Sequence, residues 1–446
     1  MSAFKQRLAR IGATAGVLAA TTAAIMAVGG ASASVASAAC VPVGEGTALA
    51  GSGSSLQKEA QLTWTNASHF GTECAETPVT YTSTSSGKGL AAFGFTSGSI
   101  EHGTAFIGTD DGPNATQIAS AESVSKTKPL IIPVAETAIA VVLNPPANCS
   151  LKTGSTHGIG WVQLTQIFGG KEIKTWAQLA TAEVVEGAGC TGNITRVVRA
   201  EGSGTTFQFK NYLAVLQQAE FGGKAMPCSL TGFNEETGKS ESTTAWKNMR
   251  QVGTEEKPNI TWPEPSNCAE TTEVVRKAGG GAVAEYVAAT DGTIGYASLP
   301  DAKAKGAEFA QLQDVSTGKF ASPAKPSTTE SNCGERVYTV PTPGREGETG
   351  EAVNWSQVFG ASPAVGSSLY PLCTLTYDVA WKNYETAGYT SGSKVAKNVK
   401  SYMEYLLSTN GQKVLPEKWY QKLPEGGGSK EKNVVAAAKL AISKIS

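Results

Sequence analysis

Extended, apolar stretches in this chain run into Gly/Ser/Thr-rich turns and then into helical periodicity, and the plan occurs three times. The first copy is Thr47-Ala48-Leu49-Ala50, the turn Gly51-Ser52-Gly53-Ser54-Ser55, and a helical pattern opened by Leu56. The second is Val79 to Thr84, the turn Ser85-Ser86-Gly87-Lys88-Gly89, then Leu90-Ala91-Ala92-Phe93. The third is Ile194 to Arg199, the turn Glu201-Gly202-Ser203-Gly204-Thr205, and from Phe209 apolar residues at Tyr212, Leu213 and Leu216, the spacing of one helical face. Between the second and third, Ala105 to Thr109 reads as a short apolar strand ending in Asp110 and Asp111. Ile139 to Leu143 reads as a buried strand, placed to carry the chain between lobes, and Val434 to Ile445 as a closing helix. Strands alternating with helices predict an α/β architecture with mostly parallel sheets. The turns would then lie at the carboxyl ends of the strands, where such sheets bind ligands.

The third turn carries the most chemistry. Ser203, Gly204 and Thr205 sit at a helix N-terminus, where backbone N–H groups lack intrahelical acceptors and the helix dipole favours negative charge. Arg199 brings a planar, permanently charged fork suited to an oxyanion, and Glu201 is spaced to hold that guanidinium in place. Glycine makes up 50 of the 446 residues, so one such turn alone is weak; its recurrence and Arg199 raise it. Two readings fit Asp110. A carboxylate beside an anion site repels the ligand unless the anion brings a proton to share, as monohydrogen phosphate does and sulfate does not. Alternatively, Asp110 and Asp111 cap a turn.

Composition narrows the classes. Lys5, Arg7 and Arg10, an Ala/Thr/Val-rich run and small residues up to Ala39 read as a signal peptide over residues 1–39; a retained anchor is the alternative. Its removal lowers Lys+Arg from 37 to 34 against 38 Asp+Glu. A weakly acidic chain has no electrostatic footprint for nucleic acid. Eight cysteines, none in a C-x-x-C pair, suit an exported disulfide protein. Nearest-neighbour pairing, one of many that parity allows, joins Cys40–Cys74, Cys149–Cys190, Cys228–Cys268 and Cys333–Cys373. Ser37-Ala38-Ala39 is a poor lipoprotein processing site, and lipidation of Cys40 would leave an odd number of cysteines, so a free secreted protein is expected over a lipid-anchored one. His69, His102 and His157 have no metal spacing and read as surface residues, and no G-x-S-x-G elbow occurs. Gly238-Lys239-Ser240 misses the P-loop spacing by one residue. Trp64, Trp161 and Trp176 read as core or interface. No catalytic residue, metal or cofactor is expected.

At this point the motifs resemble those of the periplasmic or secreted phosphate-binding proteins that serve ABC phosphate importers. Gly51 to Leu56 resembles the family's G-A-G-A-T/S-F, Tyr81 to Gly89 its Y-x-x-x-G-S-G-x-G, and Phe106 to Asp110 its F-G-x-S-D. Arg199 to Phe207 resembles R-x-D-G-S-G-T-x-F nearly residue for residue; Ile167 to Lys171 with Trp176, and Gly292 to Tyr296, add support. The resemblance implies two α/β lobes, each a mostly parallel sheet flanked by helices, hinged and closing over phosphate. It assigns Ser55, Leu56, Ser86, Asp110, Arg199, Ser203, Gly204 and Thr205 to the ligand, with Glu201 behind Arg199. Leu56, Ser85 and Glu201 depart from the family's Phe, Gly and Asp. On this plan residues 40–136 and 367–446 form one lobe, 137–320 the other, and 321–366 a surface excursion and return crossover. The expected partners are inorganic phosphate and a membrane ABC permease, with the chain a monomer. A binding protein for another oxyanion, a phosphatase on this scaffold and a surface interaction protein are the rivals.

Overall fold

In the computed structural model the chain is described over residues 48–73, 77–169, 173–221, 230–234, 239–243, 262, 264–265, 273–334, 369–424 and 434–446. Nine strands among these form the main sheet. They are β1 (Leu49–Gly53), β2 (Val79–Ser83), β3 (Phe106–Thr109), β4 (Pro129–Asn144), β5 (Thr195–Arg199), β6 (Val274–Lys277), β7 (Thr293–Ser298), β8 (Cys373–Trp381) and β9 (Tyr420–Gln421). Their order is β6-β5-β7-β4-β8-β3-β1-β2, with β9 also on β4. At one end β1 is parallel to β2 and β3; at the other β5 is parallel to β6 and β7. These two trios meet the expectation of parallel sheets.

The strands between the trios run antiparallel, which the periodicity did not foretell. β4 pairs with β8 through its first ten residues, Pro129 to Ala138, and with β7 from Ile139 to Asn144. One continuous strand thus leaves the first trio and enters the second, and β8 returns beside it in the opposite direction. Ile139 to Leu143 lies in the crossing half, where each side chain is buried. Burial on both faces explains why this stretch is an unbroken apolar run without alternation.

Helices cover the sheet. Those that matter for the site are α1 (Lys58–Trp64), α2 (Ser86–Ala92), α3 (Gly204–Phe221) and α4 (Gly280–Ala289). Their start points follow local chemistry. Ser85 accepts the Lys88 N–H at 3.2 Å and caps α2, and Ser203 accepts the Thr206 N–H at 3.2 Å at the head of α3. The closing helix, Val434–Ser443, buries Val434, Ala438 and Ile442, one stripe at four-residue spacing. Trp64 and Trp176 are fully buried in the core and Trp161 packs against it. Among the described residues, no helix is long and apolar enough to cross a membrane.

Two of the four expected disulfides fall within the described residues, and both are formed: Cys149–Cys190 and Cys333–Cys373. Cys40, Cys74, Cys228 and Cys268 lie outside them, as do residues 335–366 of the expected excursion. Cys333–Cys373 ties residues 320–334 to the first residue of β8, so it restrains the strand that later supplies Thr376. Each bond closes a loop of 40 or 41 residues. Replacing Cys333 and Cys373 together by Ser should cost about 3–4 kcal/mol. Urea unfolding of the oxidised protein and the double variant measures this, and equal midpoints would refute it.

Candidate functional site

The turns that end β1, β2, β3 and β5 converge. Close backbone approach makes this possible at two positions. Gly53 adopts φ +130°, and a Cβ there would lie 2.2 Å from the carbonyl oxygen of Gly108 on β3. A Cβ on Gly204 would lie 2.7 Å from Ser86 Oγ, 2.8 Å from Asp110 Cβ and 2.8 Å from Asp111 N. The N-terminus of α3 is therefore seated directly on the ends of β2 and β3, and only glycine fits there.

Asp110 is the centre of the cluster and is 1% exposed. Its Oδ1 accepts from Ser54 Oγ at 2.5 Å and from Thr376 Oγ1 at 2.8 Å. Its Oδ2 accepts from Thr205 Oγ1 at 3.2 Å, and Ser86 Oγ stands 3.4 Å away. Its backbone N–H donates to Ser86 Oγ, and its carbonyl oxygen accepts from Gln208 Nε2. Burial pushes the Asp110 carboxyl up; the Ser54 and Thr376 hydroxyls, the Arg199 charge and Thr205 pull the other way. Neighbouring Asp111, also buried, is pushed up to about 6, against the pull of Thr109.

Arg199, 1% exposed, arrives from the end of β5. Glu201 holds it as expected: Nε donates to Glu201 Oε1 at 2.8 Å, and Nη2 pairs with the same oxygen. That oxygen also accepts the Gly279 N–H at 3.0 Å, at the head of α4. The next amide, Gly280 N, donates to Ser55 Oγ at 3.3 Å. Leu56 N donates to Ser54 Oγ at 3.0 Å.

Ser86, Asp110, Gly204 and Thr205 are thus in direct contact, with Arg199 close enough for its charge to act on Asp110. Ser203 caps α3 beside them, while Ser55 and Glu201 meet the head of α4. Ser54, Thr376 and Gln208 escaped the sequence reading. Ser54 is one residue from the expected Ser55. Thr376 lies in β8, where Thr374, Thr376 and Asp378 alternate with Leu375, Tyr377 and Val379 and all are buried. Polar residues at every second place of a buried strand were the available signal. The sheet register also shifts between Thr376 and Tyr377, a local irregularity of the kind that re-aims side chains beside functional sites.

Residues 41–410 match the PBP superfamily domain. The chain belongs to the PBP superfamily. Solved structures with the same fold include PfluDING, a high-affinity periplasmic phosphate-binding protein bound with phosphate. It is 20% identical, with TM-score 0.57 over 89% of this chain and 98% of that one. A phosphate-binding protein from Stenotrophomonas maltophilia is 20% identical, with TM-score 0.53 over 88% and 93%. The ancestral soluble variant of the human phosphate-binding protein is 19% identical, with TM-score 0.57 over 89% and 98%. No curated protein matches the sequence significantly.

In this PBP-superfamily chain the cluster presents hydroxyls, amides and the Arg199 guanidinium around the Asp110 carboxylate, all buried. Such a set can hold an anion by hydrogen bonds. Among the described residues, the one group of side chains near enough to share a metal is Glu136 with Cys333 and Cys373, and that pair of cysteines is a disulfide.

Two outcomes follow. Gly204→Ala should destabilise the protein by about 1–3 kcal/mol through overpacking against Asp110 and Asp111; chemical denaturation measures it, and a neutral result would mean α3 is not seated this closely. Asp378, buried in β8, is pushed up to about 8, chiefly by burial. A carboxyl raised in the folded state binds more protons folded than unfolded between the two pKa values. Its contribution therefore destabilises above about 8 and is relieved as pH falls toward the ordinary carboxylate range. Stability curves of Asp378→Asn against wild type should diverge with that sign, the variant gaining most at high pH. Parallel curves would contradict the shift.

Proposed function

We propose that this chain captures inorganic phosphate, in its monohydrogen form, in the buried cluster around Asp110, and hands it to a membrane ABC importer. The observation that carries this reading is one buried carboxylate, already hydrogen-bonded by hydroxyls, lying beside the Arg199 guanidinium and the N-terminus of α3. A purely cationic site would take any oxyanion. A carboxylate in the middle admits an anion that donates a proton and repels one that cannot.

In the bound state Ser86, Ser203 and Thr205 would turn their hydroxyls to ligand oxygens, alongside the amides of Gly204 and Thr205. Arg199 would meet the ligand with the guanidinium face not taken by Glu201. Ser55 and Leu56 would complete the set once the α4 amide and Ser54 release them. The similar solved structures are phosphate-binding proteins by name, one of them bound with phosphate, which supports the same ligand here. Residues 1–39 would direct export, giving a secreted or periplasmic monomer. Residues 40–136 with 367–446 and residues 137–320 would act as lobes, with β4 and β8 as the connection across which they open. The role is binding without turnover.

Calorimetry and thermal unfolding of the mature, phosphate-stripped protein test this. Phosphate at a hundred times its dissociation constant should add about 2.7 kcal/mol to stability, and sulfate at neutral pH should add nothing. Arg199→Ala should weaken phosphate at least about a hundredfold, as removal of a buried charge partner does. Equal stabilisation by sulfate, or wild-type affinity in Arg199→Ala, would overturn the assignment.

A further inference from the structure

Behind Asp110 lies a chain of buried hydrogen bonds that the site itself does not require. Tyr402 Oη donates to Gln61 Oε1 at 2.7 Å. Gln61 Nε2 donates to Gln57 Oε1 at 3.1 Å and to both carboxyl oxygens of Asp378 at 3.1 and 3.0 Å. Gln57 Nε2 donates to Thr376 Oγ1 and to the Tyr377 carbonyl oxygen, each at 2.7 Å. Thr376 Oγ1 then donates to Asp110 Oδ1 at 2.8 Å.

The direction of this chain is fixed by chemistry. A carbonyl oxygen accepts and never donates, so the Tyr377 contact determines which end of the Gln57 amide is NH₂. That NH₂ fills a lone pair of Thr376 Oγ1, leaving the single hydroxyl hydrogen to point away. Its nearer acceptor is Asp110 Oδ1 at 2.8 Å; the Thr109 carbonyl oxygen is at 3.2 Å. Ser54 is constrained in the same way. Its Oγ accepts the N–H of Leu56 at 3.0 Å and of Gln57 at 3.4 Å, so its hydrogen goes to Asp110 Oδ1; when Leu56 turns to the ligand, the Gln57 N–H alone keeps that direction. Gln57 therefore polarises both hydroxyls, one through its side chain and one through its backbone.

We infer that Gln57, with Thr376 and Ser54, is a positioning device for ligand selectivity: a one-way series of donors holds Asp110 as a hydrogen-bond acceptor, so the bound anion must be the partner that brings the proton. The inference rests on the proposed phosphate reading and names the residues that would enforce it. Two O–H donors aimed at one oxygen favour the ionised carboxylate against the cost of burial. The titratable groups around Asp110 and its donors are Arg199, which favours ionisation, Asp111, which opposes it, Tyr81, Tyr377 and Tyr420, whose hydroxyls burial keeps neutral, and Asp378, pushed up to about 8 and bonded to Gln61. None of these is a donor whose direction Gln57 sets. Repeating the measurements below in an Asp378→Asn background separates the titration of Asp378 itself.

The test compares wild type, Thr376→Val, Thr376→Ser and Gln57→Met in phosphate and sulfate binding by calorimetry, from about pH 6 to about pH 9. Thr376→Val keeps the side-chain shape and removes the donor. Its phosphate-over-sulfate affinity ratio should fall at least about tenfold, and the pH below which sulfate binds should rise by about one unit. Thr376→Ser should restore both, and Gln57→Met should lie between. The carboxyl ¹³C resonance of Asp110, assigned against Asp110→Asn, should titrate about one unit higher in unliganded Thr376→Val. That readout needs no ligand, so a wild type that binds neither anion would overturn the phosphate reading while the titration still decides the relay. A folded Thr376→Val with wild-type ratio and titration overturns the inference even if phosphate binding stands.

Discussion

One buried carboxylate sets the terms for everything around it. Removing an ionised group from water is costly unless hydrogen bonds and opposite charge replace the lost hydration. Asp110 receives both: hydroxyls on each oxygen and a guanidinium nearby. Those donors come from β1, α3 and β8, which are distant in sequence, so satisfying this side chain requires the sheet to be assembled. The close seat of α3 on β3, which excludes any side chain at Gly204, follows from the same demand. A donor set this tight leaves little room for water and makes each hydroxyl's direction matter.

The topology supplies the convergence. Parallel strands end on the same side, so β1, β2 and β3 deliver three turns to one place and β5 delivers Arg199. Bringing the two trios together falls to β4 and β8, long strands buried on nearly every residue. β8 adds chemistry as well as connection. Its Thr376 and Asp378 sit in the strand behind the site, and the Cys333–Cys373 bond fixes the strand's beginning. A strand buried on both faces can present polar groups only where partners await them, and Gln57 and Gln61 are such partners.

This division explains what could be read before the structure was seen. The turns, the helix starts, Arg199 and its pairing with Glu201 were legible, because each is encoded within a dozen neighbouring residues by glycine, hydroxyl and apolar spacing. Asp110 was legible as a strand-end carboxylate, though only the fold distinguishes a buried centre from a turn cap. The antiparallel course of β4 and β8 was not legible, since nothing in the residues of a buried strand marks which way its neighbour runs. Nor were Thr376 and Gln57. Alternation within β8 marks Thr376 as polar, but what it bonds depends on a register between β8, β3 and the start of α1 across more than three hundred residues of sequence, and no local pattern records that pairing.

On the proposed reading, the charge balance points to selection by hydrogen-bond direction more than by net charge. Arg199 is the cation whose charge acts on Asp110, and Glu201 already pairs with it. Counting Asp110, the three groups sum to a negative site before any ligand arrives. On the proposed reading, an incoming dianion would be held by the Arg199 fork together with oriented N–H and O–H dipoles at the head of α3 and around Ser86, more than by the net charge of the site. Oriented dipoles cost little to reorganise and act strongly where water is excluded. Glu201 fits this scheme. One Glu201 oxygen accepts from both Arg199 and the Gly279 amide, so the guanidinium is braced against α4 as well as against its own turn. With the cation paired and fixed, the proton on the proposed ligand would be the feature left for Asp110 to read.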